Sequence, residues 1–578
     1  RAVKSGWLPR PSVFFLHILT LWAFSIAQPL YDLLGRNPEF FLARRTDSVQ
    51  LGLMVVVLSW LLPSLVSFLL LTLSWVSRRV ATLFCCATFA LLVALLLMPI
   101  FKRIQSDLDA WTMLAIGFSG AVFVGLYLRF SAVRLFLTCA SPGVVVIPLL
   151  FLFSLPITEF LGTSAFPPPS ATESTAESRY PTVVMLIFDE LPLFSLLDRD
   201  GNIDSIRFPN FAELAEETTW YKNATTVAET TYKALAALLS GLYPAQQSLA
   251  SHCEYSKNLF TLLDPTHRLD VFESITQLCP RDDGETLAHS MVLLLQDLTI
   301  VYGHLTLPNR ITAKLPDIRN VWLMGRSSFL DRNHFGRFLD SLGSDETPRI
   351  YFCHSPLPHY PWTYLPSGKR YSTRSRSEVF FKGQRWSKSE AVVQHAFQRY
   401  LLQLGYEDQV LGRLIRRLRQ TGLYDRALLV VLADHGVSFR PGQSHRRADL
   451  RNLSEIMSVL LFVRFPGQVR GLVSSANAEL VDLLPTIADT LNMPFPWEVD
   501  GVSLRSDIFF KEDRKVIFRE NGAAPLVHFS GIAPFSLGIC LEGRMSQVGT
   551  GDLVGVLRGF EKKGETVELW GSDCGRTR

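Results

Sequence analysis

Two residues at the end of an apolar run are the first candidates for chemistry. In RALLVVLADHG, positions 426–436, seven consecutive apolar residues lead straight into Asp434 and His435. A carboxylate beside an imidazole can hold a divalent metal ion. A second apolar run, VVMLIF at 183–188, also ends in acid, with Asp189 and then Glu190. A third stretch, ETTYKALAALLSGLYP at 229–244, sets Thr230 and Thr231 ahead of a short apolar segment that stops at Gly and Pro. A hydroxyl in that place is either an ordinary helix cap or a nucleophile whose anionic adduct would face free backbone N–H groups and the positive end of the helix dipole. Basic groups lie in two further loops: His354 and His359 in HSPLPHYPW, and Arg440, His445, Arg446 and Arg447 in VSFRPGQSHRR. Taken alone, Asp-His-Gly reads as a turn with a surface histidine and each threonine as a cap. Two acid-tipped runs and a helix-start hydroxyl in one chain argue against coincidence.

The elements that must position these groups can be read from the same residues. Runs 427–433 and 183–188 are apolar without alternation, as expected of strands covered on both faces of a parallel sheet. Their C-terminal ends are where open α/β sheets bind ligands. RIYFC at 349–353 and SVLLFVRFPG at 458–467 predict further strands, with His354 and His359 in a proline-held loop after the first. Helices are expected within 229–244, where a polar entry precedes a short apolar helix and a Gly-Pro stop, over the long periodic stretch 391–420, and at 478–493. Arg413, Arg416, Arg417 and Arg419 read as a solvated face of the long helix.

The first 165 residues are of another kind. Apolar segments at about 13–30, 51–76, 80–101, 111–128 and 135–161 approach or exceed the ~20 residues that a spanning helix needs. Arg1, Lys4, Arg10, Arg78, Arg79, Arg129 and Arg134 fall on one side of these segments. Arg36, Arg44, Arg45, Lys102 and Arg103 fall on the other, diluted by Asp32, Glu39, Asp47, Asp107 and Asp109. The positive-inside rule then puts residues beyond 165 outside the cytoplasm. Spans without mid-membrane charge predict an anchor and not a transport path. The chain begins at Arg1 rather than Met, which leaves room for a preceding segment. A formal charge of +4 on 578 residues, without a polybasic tract or zinc-finger spacing, argues against nucleic acid as a partner. Outside the cytoplasm Cys253 with Cys279, and Cys540 with Cys574, are plausible disulfides, with Cys353 left over. The domains expected are an anchor at 1–165, a proline-rich linker at 166–181, a catalytic domain at 182–515 and a small extension at 516–578.

VVMLIFDE, TTYKALAALLSGLYP, LPHYPWTYLPSG, GLYDRALLVVLADHG and VDLLPTIADTLNMPFPWEVDGVSL follow one another in the order seen in sulfatase-like members of the alkaline phosphatase superfamily, and together cover most of 181–506. With its N-terminal helices the chain resembles the envelope phosphoethanolamine transferases and lipoteichoic acid synthase. The resemblance implies an all-α five-helix transmembrane bundle followed by an α/β alkaline-phosphatase-like (sulfatase) domain, its central sheet mostly parallel with helices on both faces. It makes Asp189, Asp434 and His435 metal ligands, with Glu190 where many sulfatases carry a second Asp. Counting back ten residues from Gly241 makes Thr231, rather than Thr230, the nucleophile and a ligand. His359 then matches a substrate-contacting histidine and His445 a looser basic position. The chain departs from the sulfatases at one point: Thr-Tyr-Lys-Ala-Leu at 231–235 stands where a Cys/Ser-x-Pro-x-Arg signature would be converted to formylglycine, so that cofactor is not expected.

The chemistry this implies is attack of the Thr231 hydroxyl on a phosphodiester, activated by one divalent metal, to give a phosphothreonine. The oxygen and nitrogen shell favours Zn²⁺ or Mn²⁺ over Ca²⁺ or Mg²⁺. His359 would protonate the leaving group or hold phosphate oxygens, with His354, Arg440, His445, Arg446 and Arg447 as further substrate contacts. The expected partners are a membrane lipid or lipid-linked donor and an envelope glycan or lipid acceptor, at the plasma (inner) membrane with the catalytic domain extracytoplasmic. Hydrolysis of a sulfuric ester or phosphodiester is the alternative, and a catalytically silent binding or assembly module is the alternative of another class.

Overall fold

The computed structural model describes residues 11–105, 108–154, 157–158, 180–245, 249–273, 275–279, 286–312, 314–316, 332–344, 347–371, 380–449, 451–506, 514–519 and 526–529. They divide into two compact units, one of residues 1–166 with 282–331 and the other of 167–281 with 332–578.

Among the described residues of the helical unit five helices are long and apolar enough to cross a membrane: Ser12–Gly35, Ser48–Val76, Arg79–Ile104, Ala110–Arg129 and Ser131–Leu152. Two of them start at an aspartate cap. Asp47 accepts from Gln50 N at 2.7 Å and Asp109 from Thr112 N at 2.7 Å, each satisfying a backbone donor that the helix leaves over. A helix from later in the chain, Leu287–Thr306, belongs to this unit. It buries Leu294, Leu298 and Val301. Asp297 pairs with Arg44, and Tyr302 Oη donates to Ser25 O at 2.8 Å. Lys102 Nζ donates to the carbonyls of His304 and Leu307 at the helix's C-terminal end, 2.7 and 2.6 Å away, where a cation also complements the dipole. The contacts therefore draw the domain line differently from the sequence reading, which left 282–331 inside the catalytic domain.

The other unit is built on a seven-stranded sheet. Its strands are β1 (Val183–Asp189), β2 (Thr219–Tyr221), β3 (Arg268–Phe272), β4 (Arg349–Pro358), β7 (Leu428–Ala433), β8 (Leu461–Arg464) and β9 (Leu472–Ser474), in the order β3-β4-β1-β7-β8-β2-β9. Two small hairpins lie outside it: β5 (Phe381–Lys382) with β6 (Arg385–Trp386), and β10 (Arg514–Ile517) with β11 (Leu526–Phe529). β3, β4, β1 and β7 run parallel, and β8 is antiparallel to both β7 and β2. β1 and β7 are buried at every residue, the reason their sequences show no alternation. The register Phe188↔Ala433 brings the next residues of both strands, Asp189 and Asp434, to one sheet edge.

The short helix Thr231–Ser240 is buried along its whole length and ends at Gly241, whose φ of +71° is a left-handed cap that a side chain would strain. The long helix Glu390–Gln420 spans 31 residues and turns a wide buried stripe inward. The helix expected over 478–493 is shorter, Leu483–Thr490 preceded by a 3₁₀ turn at Leu480–Asp482. β10 and the residue after it join the sheet-bearing unit, since Phe518 N donates to Val227 O at 2.7 Å, so a boundary at 516 would cut through a strand. Residues 166–179 of the expected linker, and Cys540 and Cys574, lie outside the described residues. Cys253 is exposed, Cys279 is buried, and the structure holds both as thiols in place of the expected disulfide.

Candidate active site

The ends of β1 and β7 meet the start of the Thr231–Ser240 helix. Asp189, Asp434 and His435 are buried, and each offers a ligand atom within 4.8 Å of the others. The Thr231 hydroxyl donates to Asp189 Oδ1 at 3.3 Å and lies 3.2 Å from His435 Nε2. Thr230 is the helix's N-cap residue, and its buried Oγ1 makes no hydrogen bond, so of the two threonines Thr231 reaches the acids. His435 Nδ1 lies 2.9 Å from Gly436 O. A carbonyl only accepts, so Nδ1 carries the proton and the Nε2 lone pair faces Thr231 and the carboxylates. Gly436 is required at that turn: a Cβ there would lie 2.1 Å from Glu455 O.

The electrostatics ask for a cation. Burial, and then the neighbouring carboxylates of Asp434 and Glu190, push the Asp189 carboxyl well above the ordinary range. Burial also raises Asp434, against the pull of His435. Asp434 Oδ1 accepts from His435 N at 2.6 Å and Glu190 N at 3.2 Å, yet its buried Oδ2 has no hydrogen-bond partner. A buried, unpartnered carboxylate oxygen facing another carboxylate and an imidazole lone pair fits a divalent metal ion.

Glu190, expected as a further ligand, turns elsewhere. Its φ of +60° is a left-handed conformation rare for a residue with a side chain. Its carboxylate meets Arg446 Nε at 2.5 Å and stands 3.7 Å from His359 Nε2. Burial would raise this carboxyl, but Arg446, followed by His359, His435 and His445, holds it below the ordinary range. Glu190 is thus an ionised partner for Arg446, beside the cluster of Asp189, Asp434 and His435 and not within it. Arg446 Nη2 is buried without a hydrogen-bond partner.

The remaining sequence-predicted residues divide. His359 belongs to the cluster through Glu190; its Nδ1 lies 2.5 Å from Tyr360 O, and burial lowers it to about 4 despite Glu190. His445 is held through Nδ1 at 2.8 Å from Gln384 O and stacks on Phe381, and burial lowers it likewise to about 4. His354, expected to touch substrate, is fully buried with Nε2 3.9 Å from Asp434 Oδ2. Arg440 gives its guanidinium to Glu455 at 2.8 Å, and Arg447 is exposed. Of the three arginines, Arg446 is the one brought to the acids.

The sequence reading missed the supports on the long helix. Tyr400 Oη donates to Glu190 O at 3.0 Å, Gln403 bonds the loop carrying His359, and Glu407 Oε2 accepts from Ser355 Oγ at 3.1 Å. Polar residues at i, i+3 and i+7 within an apolar stripe were the available signal, since a helix's core face has no other use for them.

A protein-family model named Sulfatase matches residues 181–493. Among curated proteins, bovine (Bos taurus) arylsulfatase K is 33% identical over 19% of this chain and 20% of its own length. The multifunctional alkaline phosphatase superfamily protein PehA of Trinickia caryophylli is 28% identical over 24% of this chain and 28% of its own. Such alignments take in between 20% and 33% of each relative's length. The crystal structure of the phosphonate monoester hydrolase of Agrobacterium radiobacter superposes with a TM-score of 0.40 at 16% identity, covering 66% of this chain and 95% of that one. With more than half of its residues matched by the family model, the chain belongs to the Sulfatase family.

Proposed function

We propose that the protein is a membrane-anchored, metal-dependent enzyme that cleaves or transfers phosphoesters through a covalent phosphothreonine at Thr231, acting on a lipid or lipid-linked donor and an envelope glycan or lipid acceptor at the outer face of the plasma membrane. The carrying observation is the Thr231 hydroxyl, at a helix N-terminus and 3.3 and 3.2 Å from Asp189 and His435. Asp189, Asp434 and His435 would hold one divalent cation, Zn²⁺ or Mn²⁺ by the donor set, which would supply positive charge to ease ionisation of the hydroxyl.

The chain's own residues account for the rest. The Thr231 Oγ–P bond forms as the P–O bond to the leaving group breaks, and the hydroxyl proton has Asp189 Oδ1 as its acceptor. Arg446, anchored by Glu190 through Nε, keeps Nη2 for the phosphoryl oxygens. His359 is neutral at pH 7 with Nε2 unprotonated, so it is suited to take the proton of the resolving water or hydroxyl. The leaving group, whose protonation was the role expected of His359 from the sequence, departs before His359 holds a proton and takes its proton from solvent, while Asp189 returns its proton to Thr231 Oγ as the resolving P–O bond forms and the Oγ–P bond breaks. Water as acceptor gives a hydrolase; a sugar or lipid hydroxyl gives a transferase.

The Sulfatase match favours a second reading, hydrolysis of a sulfuric ester. Threonine cannot form the aldehyde that formylglycine chemistry needs, which favours the phosphoryl reading. Mass spectrometry of the purified full chain after exposure to a phosphodiester, with metal analysis, tests it. One equivalent of Zn or Mn and, on the peptide holding Thr231, a mass gain equal to that of the phosphodiester less its leaving alcohol are expected; neither metal nor adduct would favour a silent binding module.

A further inference from the structure

Resting on the reading of His359 as a site residue, we propose that Gln403 is a positioning residue that fixes the His359 imidazole by clamping the loop on both sides of it. The Gln403 side chain is fully buried on the inward face of the Glu390–Gln420 helix. Its Nε2 donates to Pro358 O at 3.1 Å and His359 O at 2.9 Å. Its Oε1 accepts from Thr363 N at 2.9 Å and Tyr364 N at 3.4 Å. One amide thus uses both donors and both lone pairs, all on the segment 358–364.

That segment has little of its own to hold it beyond Trp362 Nε1, which donates to Pro358 O at 3.1 Å. Pro358 and Pro361 have no N–H to give, so the stretch around His359 cannot pair as a strand. β4 runs out at Pro358 after a register break opposite Phe188 and Asp189. The helix supplies what the loop lacks. Tyr400, three residues before Gln403, binds the Glu190 carbonyl, and Glu407, four residues after, binds Ser355. Residues at that spacing share one helix face, so one rigid face fixes both the backbone that aims Glu190 and the loop that aims His359. Of the three, Gln403 is the one bonded to the His359 residue itself. It touches neither the acids nor a substrate position and acts through His359.

The test uses the full chain in detergent with bis(4-nitrophenyl) phosphate as probe. Gln403→Leu is expected to lower kcat at least tenfold with KM within threefold. In a His359→Ala background the same change is expected to cost less than twofold, because there is no imidazole left to misplace. Gln403→Glu guards against misfolding: it keeps an acceptor for Thr363 and Tyr364 but, held protonated by burial, retains at most one of the two donors to Pro358 and His359, so it should lose kcat, by no more than Gln403→Leu does. Losses that multiply in the double variant, or a full-rate Gln403→Glu enzyme, overturn the proposal. The proposed function fails separately, by turnover that survives Thr231→Ala or by no turnover at all. In that event the rate of diethyl pyrocarbonate modification at His359 decides: faster labelling in Gln403→Glu than in wild type supports the clamp, and equal labelling overturns it.

Discussion

In the helical unit His17 is buried with a partner at each ring nitrogen, Tyr127 Oη at 2.9 Å and Thr138 Oγ1 at 3.0 Å, whereas at the sheet edge Asp434 keeps one buried oxygen with no hydrogen-bond partner. Both are polar groups removed from water, and both would be costly if left unmatched. In the first case neighbouring helices supply the match. In the second the neighbours are another carboxylate, Asp189, and an imidazole that presents a lone pair, which worsen the mismatch. A fold can close a polar group off with its own residues or leave it poised for a ligand. The comparison suggests that the bundle's polar contacts serve packing and those of the sheet edge serve chemistry.

The largest effect should come from Thr231→Ala. Removing the proposed nucleophile leaves the acids and Arg446 in place, so binding survives while turnover falls by about 10³-fold or more and the covalent adduct disappears. A rate within tenfold of wild type, read with an aryl phosphodiester, would count against covalent catalysis.

Asp189→Asn breaks the comparison from the other side. Without metal, this change relieves repulsion between two buried carboxylates, so with a chelator present the variant should melt at or above the wild-type temperature. With Zn²⁺ or Mn²⁺ at 100 times its dissociation constant, the wild type should gain about 2.7 kcal/mol and the variant much less. The two melting curves should therefore exchange order on adding metal. Parallel shifts, or no shift, would show that the cluster is not a metal site.

How much of this was legible in the sequence depended on whether a residue's neighbours along the chain reported its surroundings. The strands that carry the acidic cluster were legible, because an unbroken apolar run ending in acid is unusual and the register of parallel strands then brings the two ends together. Thr231 was separable from Thr230 by resemblance, and the structure separates them by distance. The pairing of Glu190 with Arg446 was not legible, since nothing local tells Arg440, Arg446 and Arg447 apart; Glu455, across a turn, takes Arg440. The Leu287–Thr306 helix hid for a related reason. Gln296, Asp297 and its histidines dilute its apolar character, and Asp297 is accounted for only when Arg44 is seen against it. Gln403 and its helix neighbours look like breaks in an apolar stripe until the loop that they hold is in view.

Glu407 sharpens the contrast within the catalytic unit. Like Asp434 it is a buried carboxyl with an unpartnered oxygen, here Oε1, but its neighbour is the Ser355 hydroxyl and not a second acid. Burial, against the Ser355 hydrogen bond, raises it to about 8. At neutral pH it is therefore mostly protonated in the folded chain. Its unfolded counterpart ionises near the ordinary value of 4.5. Because the folded state then holds the proton that the unfolded state gives up, its contribution to stability is complete below about pH 4.5 and is lost as pH rises toward 8. Glu407→Gln removes that dependence. The wild type should lose a few kcal/mol, roughly, relative to the variant between pH 5 and pH 8. Thermal midpoints of both proteins that fall in parallel over that interval would show Glu407 to be ionised throughout.

The smallest effect belongs to the bundle. His17→Leu removes the partner of Tyr127 Oη, while Thr138 Oγ1 retains its bond to Arg134 O at 3.0 Å. Only one group is therefore left unmatched, and hydrogen bonds between membrane helices contribute on average about 0.6 kcal/mol, since the unfolded chain in a bilayer also finds partners. The variant should unfold in a denaturing detergent at a slightly lower concentration, with metal content and turnover unchanged. If it instead lost metal or rate by tenfold, the bundle's polar contacts would be part of the chemistry, and the division between closed and poised polar groups would fail at its simpler end.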